Sequence, residues 1–256
     1  MALYGHQARV FSVRLSPGKV YSAGEDGCCL VWDCSSRGGG KVVRTLKGHR
    51  AGGIRALAVS EERDEDRTRR RWVATGGADG GVRLWRVEDD DAEEAAEEEE
   101  RRGKAATEAL TDLEFSGRGT PKVVRVVEGG SANWARSQVV VCTDQGAVYQ
   151  GCCVDGQWDL LWQGDPAYRS YCAMEILTVR VKTAPRKAHL CAVGNLSGGL
   201  HVFAISHPQC GLSLRGGDGK IHSLVWGKGH APHAGYLLAS GANGLVHRWH
   251  IEAAGG

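Results

Sequence analysis

The sequence predicts an all-β protein built from about five repeated sheets. Two stretches share one pattern: Gly5-His6, SAGEDG at 22–27 and Val31-Trp32-Asp33, then Gly48-His49, TGGADG at 75–80 and Leu84-Trp85-Arg86. Short β-branched and aromatic runs alternate with turn residues throughout, which is typical of strands joined by tight turns. The 37 glycines among 256 residues are about twice the usual share and fall between these runs.

Hydrophobic alternation divides the chain into five repeats of three or four strands each. We place them roughly at residues 5–46, 47–87, 110–151, 168–205 and 219–252. In the third repeat, residues 111–115 are expected to form the first strand, and Gly151 stands where the earlier repeats have tryptophan. Phe203 takes that place in the fourth repeat, and Trp249 takes it in the fifth.

Two charged segments interrupt this pattern. Residues 60–71 read SEERDEDRTRRR, which is too charged to pack, so we expect a protruding loop insertion there. Residues 88–109 begin with a dense acidic run, which could form a short solvated helix, although the mutual repulsion of its carboxylates favours a disordered insertion.

The repeated unit from Gly-His to Trp resembles the WD repeat, which forms one four-stranded blade of a β-propeller. Five blades suggest an open or incomplete propeller. The resemblance implies that each strong repeat holds a hydrogen-bonded tetrad of histidine, strand hydroxyl, turn aspartate and tryptophan. The implied structural tetrads are His6, Ser22, Asp26 and Trp32 in the first repeat, and His49, Thr75, Asp79 and Trp85 in the second.

A His, Ser and Asp trio could also indicate a hydrolase, but the trio recurs at matching positions and lacks a Gly-x-Ser-x-Gly elbow. Phosphate-binding glycine loops do not occur in the sequence. The nine cysteines include no CxxC pair, and His230 and His233 have no evident third ligand. We therefore expect no enzyme activity, no catalytic residue, no cofactor and no metal site.

The chain starts without a basic and apolar leader, and no run reaches the roughly 18 apolar residues of a membrane span. Together with the cysteine pattern, this predicts an intracellular, cytoplasmic protein without a membrane partner.

Charge is distributed unevenly along the chain. Residues 88–102 hold ten acidic and two basic side chains, so the rest carries about ten excess positive charges despite a formal net charge of +2. This excess suggests an anionic partner such as RNA, with Arg67, Arg69, Arg70 and Arg71 as a speculative contact. Alternatively, and more simply, these arginines neutralise the acidic residues of the same loop, which are Glu61, Glu62, Asp64, Glu65 and Asp66.

Longer phrases resemble one group within the WD-repeat family, the regulatory subunits of the tRNA ribose 2′-O-methyltransferase that modifies wobble nucleotide 34. The phrases are ARVFSVRL at 8–15, SAGED at 22–26, GIRALA at 53–58, GGVRLW at 80–85, YRSYC at 168–172 and KIHSLVW at 220–226.

The resemblance implies a non-catalytic scaffold that binds the methyltransferase and positions tRNA for methylation. The alternative is a generic WD-repeat scaffold for protein interactions, as in signalling or ubiquitin-ligase complexes, without RNA. Members of the group are longer and build more than one propeller, so we expect this chain to be a fragment. The two charged insertions are not features of the group.

Overall fold

The computed structural model describes residues 2–36, 39–50, 52–63, 69–88, 111–113, 115, 117–127, 138–152, 156–165, 171–180, 187–228 and 234–252. Within these ranges all the regular secondary structure consists of β-strands, which confirms the predicted all-β class. The strands are β1 Val10–Ser16, β2 Lys19–Gly24, β3 Cys28–Asp33, β4 Lys41–Lys47, β5 Ile54–Arg63, β6 Arg69–Gly77, β7 Val82–Glu88, β8 Thr111–Leu113, β9 Pro121–Val127, β10 Gln138–Thr143, β11 Ala147–Cys152, β12 Trp158–Gln163, β13 Tyr171–Arg180, β14 Lys187–Asn195, β15 Gly199–Ala204, β16 His207–Arg215, β17 Ile221–Lys228, β18 Ala234–Gly241 and β19 Val246–Glu252.

These strands form five sheets, in which consecutive strands of the chain are neighbours. The sheets contain β1 to β4, β5 to β8, β9 to β12, β13 to β16, and β17 to β19. Pairing is antiparallel in the first, second, fourth and fifth sheets. The fifth sheet has three strands within the described part of the chain. Repeated four-stranded antiparallel sheets of this kind are the blades of a propeller.

The chain divides into two compact units, and the division passes through the third sheet. The N-terminal unit contains residues 1–140 and 151–158, and the C-terminal unit contains residues 141–150 and 159–256. In the N-terminal unit, one core cluster joins the first two sheets and includes Tyr21, Leu46, Ile54 and Trp85. The C-terminal unit has its own cluster, built around Leu200, Ile221 and Leu237.

The first two sheets approach each other closely at a glycine. Gly53 has a φ of +74°, and a side chain there would meet the backbone of Gly24 and Glu25. The Ala78 amide also donates a hydrogen bond of 2.9 Å to the Gly53 carbonyl. Only glycine fits both the left-handed conformation and the close contact, so Gly53 fixes the spacing between the two blades.

A β-bulge occurs at the second residue of four first strands. The register of β1 skips Phe11, that of β5 skips Arg55, that of β13 skips Cys172 and that of β17 skips His222. A bulge turns the extra side chain away from the regular alternation of the strand. The side chains of Phe11, Arg55 and His222 therefore depart from the alternation followed by the other residues of their strands.

The boundaries predicted for the second and third repeats are wrong. Residues 111–113 do not begin the third repeat; they form β8 and pair with β7 as the fourth strand of the second sheet. The third sheet instead begins at Pro121 and ends at Gln163. The cause is the long connection between β7 and β8, which separates an outer strand from its own sheet. The fourth sheet also extends past 205, through β16.

The predicted loop at 60–71 is also too long. Residues 60–63 and 69–71 belong to β5 and β6 and continue their antiparallel pairing, with Arg63 opposite Arg69. Cross-strand pairing satisfies the hydrogen-bonding groups of the backbone, so a charged sequence can remain a strand at the end of a hairpin. Residues 64–68 and the acidic insertion after Glu88 lie outside the described residues.

Candidate functional site

The first sheet brings together the four side chains expected to form its tetrad. His6 Nδ1 lies 2.8 Å from Asp26 Oδ2, and His6 Nε2 lies 2.7 Å from Ser22 Oγ. The Trp32 indole N–H donates to the same Ser22 oxygen at 2.8 Å. The chain of contacts therefore runs from the β2–β3 turn, through the residues before β1, to the indole on β3.

Backbone groups and glycines hold this tetrad in place. The amides of Gln7 and Cys28 donate to the Asp26 carboxylate at 3.1 and 3.2 Å. A side chain on Gly24 would meet His6 Nδ1 at 2.9 Å and Asp26 Oδ1 at 3.0 Å, so glycine leaves room for the His–Asp contact. Burial alone raises the pKa of Asp26, but the hydrogen bonds from His6 and the two amides outweigh it and lower the pKa below its ordinary value.

The second sheet repeats this arrangement with threonine as the hydroxyl residue. His49 Nδ1 lies 3.0 Å from Asp79 Oδ1, and His49 Nε2 lies 2.9 Å from Thr75 Oγ1. The Trp85 indole N–H donates to Thr75 Oγ1 at 2.9 Å. Asp79 also accepts from the backbone amides of Arg50 at 3.0 Å and Gly81 at 3.1 Å. The same residue types thus occupy the same positions in both sheets.

Arg83 adds a positive charge to the second tetrad. Its Nη1 lies 3.1 Å from Asp79 Oδ2 and 2.6 Å from His49 Nδ1, and its Nη2 lies 3.1 Å from Asp112 on β8. Arg83 and Asp79 compete for His49 Nδ1, because this nitrogen either donates to the carboxylate or accepts from the guanidinium. Leu30 holds the corresponding position in the first sheet, two residues before tryptophan. The repeat motif does not specify this position, so the sequence pattern gives no signal for the role of Arg83.

The charge and burial around His49 affect its protonation. Burial lowers the pKa of His49, Asp79 opposes this effect, and the neighbouring Arg83 adds to the lowering, with a net decrease. Burial raises the pKa of Asp79, but hydrogen bonds from Arg50, His49 and Gly81 hold it well below its usual range. The second tetrad therefore favours a neutral imidazole beside an ionised carboxylate.

Both hydroxyl oxygens are enclosed. Ser22 is 6% exposed and Thr75 is fully buried. Each oxygen already contacts a histidine and receives an indole N–H. A catalytic nucleophile must reach its substrate, whereas this geometry suits a group that joins strands within a sheet.

The three later sheets fill the tryptophan position in different ways. Gly151 lies beneath the Trp158 ring, whose atoms a side chain on Gly151 would meet at 2.7 Å. Trp158 in turn packs edge to face against Phe115, with 4.6 Å between ring centroids. Phe203 pairs with Cys191, and Trp249 pairs with Leu237, as Trp32 pairs with Val20. In the third sheet, a tryptophan from the next strand thus packs over the glycine that stands in the place of the motif tryptophan.

The arginines predicted to contact RNA occupy different environments. Arg71 is 1% exposed; its Nε donates to Ser16 Oγ at 2.9 Å and its Nη2 to the Pro17 carbonyl at 3.0 Å. The prediction for Arg71 is wrong, because its guanidinium is buried against the β1–β2 turn. Arg69 and Arg70 lie in β6. Arg67 lies outside the described residues.

The described part of the chain contains no cluster of three or more His, Cys, Asp or Glu residues that could hold a metal ion. Within the same ranges, no helix is long and apolar enough to cross a membrane. His230 and His233 lie outside the described residues.

Comparison with known families matches the first two sheets to the WD domain, G-beta repeat, over residues 1–33 and 40–86. The first two sheets therefore carry WD repeats. Two crystal structures share its fold. The WD40 beta propeller domain of Doa1 has a TM-score of 0.64 and 16% identity, covering 98% of this chain and 67% of that chain. The computationally designed Ika8 protein has a TM-score of 0.63 and 19% identity, covering 97% and 60%.

Among curated proteins, the chain is similar to tRNA (34-2'-O)-methyltransferase regulator WDR6. It is 34% identical to the Bos taurus protein over 252 residues and 32% identical to the Homo sapiens protein over 252 residues. Each match covers 98% of this chain and 19% of the relative. The chain thus spans about a fifth of the length of these relatives.

Proposed function

We propose that this WD-repeat chain is a non-catalytic subunit that binds a tRNA ribose 2′-O-methyltransferase and positions tRNA for methylation at nucleotide 34. The similarity to methyltransferase regulators, 34% identity across 98% of the chain, carries the proposal. In this function, the chain works in the cytoplasm, and methyl transfer belongs to the partner.

The geometry of the first two sheets supports a non-catalytic function. The hydroxyls of Ser22 and Thr75 are occupied by histidine and indole contacts, so they serve the sheets rather than a substrate. Rigid blades held together by such contacts provide a fixed surface on which a partner enzyme and its substrate can be oriented.

Two exposed apolar side chains on β1 support a protein partner. Val13 is 48% exposed and Leu15 is 79% exposed, and the two lie on one face of β1 because they are two residues apart. Adjacent exposed apolar side chains are a feature of protein interaction surfaces. Burial of Val13 and Leu15 against a partner would therefore favour binding at β1.

The test is capture of the methyltransferase by the full 256-residue chain from RNase-treated extract, followed by analysis of ribose methylation at nucleotide 34 in cells depleted of the native protein. We expect capture, and restoration of the modification by the chain. A WD-repeat propeller of similar size from another pathway serves as the matched control and should do neither. Absence of capture, or modification that does not depend on the protein, would contradict the proposal and favour a generic interaction scaffold.

A further inference from the structure

The bulges at the starts of β1 and β5 place an aromatic ring and a guanidinium in contact. The guanidinium carbon of Arg55 lies 4.1 Å from the centre of the Phe11 ring. Both residues are the extra residue of a bulge, and their strands pack against each other. The bulges therefore bring two side chains from consecutive sheets out of register and onto one another.

Lys122 occupies the corresponding position at the start of β9. Both Pro121 and Ala56 crowd the position where Gly76 would carry a side chain, so the starts of β5 and β9 lie together there. Ile221, which precedes the bulged His222, crowds Gly194 in the same way. Lys122 follows Pro121 as Arg55 follows Ile54, and it is exposed.

The charge around these positions is mainly positive. Arg9 precedes β1, Arg50 precedes β5, and both are exposed. Asp26 is bound to His6, and Asp79 is bound to His49 and Arg83. Glu25, next to Gly53, is an exposed carboxylate that opposes the basic groups. The two turn aspartates are therefore engaged within their sheets, while Arg9, Arg50 and Lys122 are exposed and Arg55 is half-buried.

We propose that Phe11, Arg55 and Lys122 form an RNA-binding surface, called here the bulge surface, that contacts substrate tRNA. A base can stack on the exposed side of the paired ring and guanidinium, and the charges of Arg55 and Lys122 suit the adjoining phosphates. Single-stranded loops present unstacked bases together with phosphates, and an anticodon loop has this chemistry. The inference rests on the proposed function because it names the surface that would hold the tRNA.

The experiment measures fluorescence anisotropy of a labelled anticodon stem-loop with the full chain at about 50 and 200 mM salt. We expect Arg55→Gln and Lys122→Gln each to weaken binding about 3-fold to 10-fold, and the double variant to lower the slope of log affinity against log salt by about one to two. Phe11→Leu should weaken binding to the stem-loop but not to an RNA duplex of equal length, because only the loop offers a base for stacking.

Arg248→Gln is the matched control, since Arg248 also lies over an aromatic ring, 5.0 Å from the centre of Tyr236, and is exposed. It should leave affinity unchanged. Equal losses in Arg248→Gln and Arg55→Gln, no loss in either, or displacement by polyglutamate as efficient as by RNA would overturn the proposal.

Methyltransferase capture in RNase-treated extract separates the two proposals. Capture by both the wild-type chain and the Arg55→Gln, Lys122→Gln double variant, with stem-loop affinity lost only in the variant, supports the bulge surface. If both chains capture the methyltransferase and the double variant binds the stem-loop as tightly as the wild type, the bulge surface is overturned while the proposal of partner binding stands. Failure of capture by the wild-type chain counts against the proposed function.

Discussion

The first and second sheets hold the same tetrad in different electrostatic surroundings. In the first, Leu30 packs beside Trp32, and His6 contacts Asp26 and Ser22. In the second, Arg83 replaces leucine, approaches His49 to 2.6 Å and bridges to Asp112 on the outer strand. The difference shows that one motif can keep its geometry while a single neighbouring residue changes the charge to which it is exposed.

The tryptophans test the part that both tetrads share, and their loss should have the largest effect. Trp85 is fully buried and Trp32 is 3% exposed. Replacement of either by alanine should lower the free energy of unfolding by about 3 to 5 kcal/mol, because a large cavity forms. Urea denaturation of both variants measures this. An unfolding midpoint equal to that of the wild type would contradict burial of the indole.

The hydroxyls test the centre of each tetrad. Thr75→Val and Ser22→Ala keep the approximate shape of the side chain but leave the indole N–H and the imidazole without their shared partner. We expect a loss of about 1 to 3 kcal/mol in the free energy of unfolding, larger for the fully buried Thr75 than for Ser22, which is 6% exposed. Thermal denaturation at neutral pH compares the two. Thr75→Ser retains the hydroxyl and serves as the control, with a smaller loss.

Acidification tests the electrostatic surroundings of the second tetrad, because protonation of His49 should destabilise the fold. The pKa of His49 is lower in the folded chain than its ordinary value of 6.5, so the unfolded chain binds a proton first, and stability falls as the pH drops through 6.5. The depressed pKa of Asp79 gives a further loss only when the pH falls below 3.8. Urea midpoints from about pH 8 to about pH 5 should show the first decrease.

His49→Gln should reduce this decrease, because it removes the titrating group, although the variant is less stable at every pH. Ser22→Ala leaves His49 and its surroundings in place and should retain the decrease. A pH dependence identical in His49→Gln and the wild type would assign the effect to another group.

Arg83→Leu should have the smallest effect, because it gives the second tetrad the residue found in the first. The contact of Arg83 with Asp112 involves a carboxylate side chain that is 61% exposed, so we expect a loss of about 1 kcal/mol or less. Without the guanidinium, the pKa of His49 should rise towards its ordinary value. The decrease in stability between about pH 8 and about pH 5 should therefore become smaller than in the wild type. Arg248→Leu is the control for loss of one positive charge.

The first two sheets give the clearest signals in the sequence, because their glycines, turn aspartates and tryptophans carry specific geometric requirements. Gly24 must leave space for the contact between His6 and Asp26, which limits the residues possible there. The third sheet was harder, because its first strand begins with Pro121 and lacks the Gly-His signal. Residues 111–113 resembled its beginning since they follow the acidic insertion.

Side-chain environments within charged runs could not be predicted from composition. Arg71 lies among charged residues in the sequence, yet it is buried because alternate strand residues face opposite sides of a sheet, and its side faces the turn at Ser16 and Pro17. Similarly, the role of Arg83 depends on its proximity to His49 and Asp112, which are distant in the sequence. The bulges at Phe11 and Arg55 required the strand register to be known.

The place where the acidic segment interrupts the second sheet has a consequence for how such chains diverge. Residues 89–110 connect β7 to β8, and Leu84 on β7 is paired with Thr111 on β8. When the two ends of a connection are held by strand pairing, doubling its length costs only about 0.6 kcal/mol of closure entropy. Insertions and deletions can therefore accumulate between Glu88 and Thr111 over evolutionary time while the blade is retained, and the same junction is a natural point for splicing in a reporter domain.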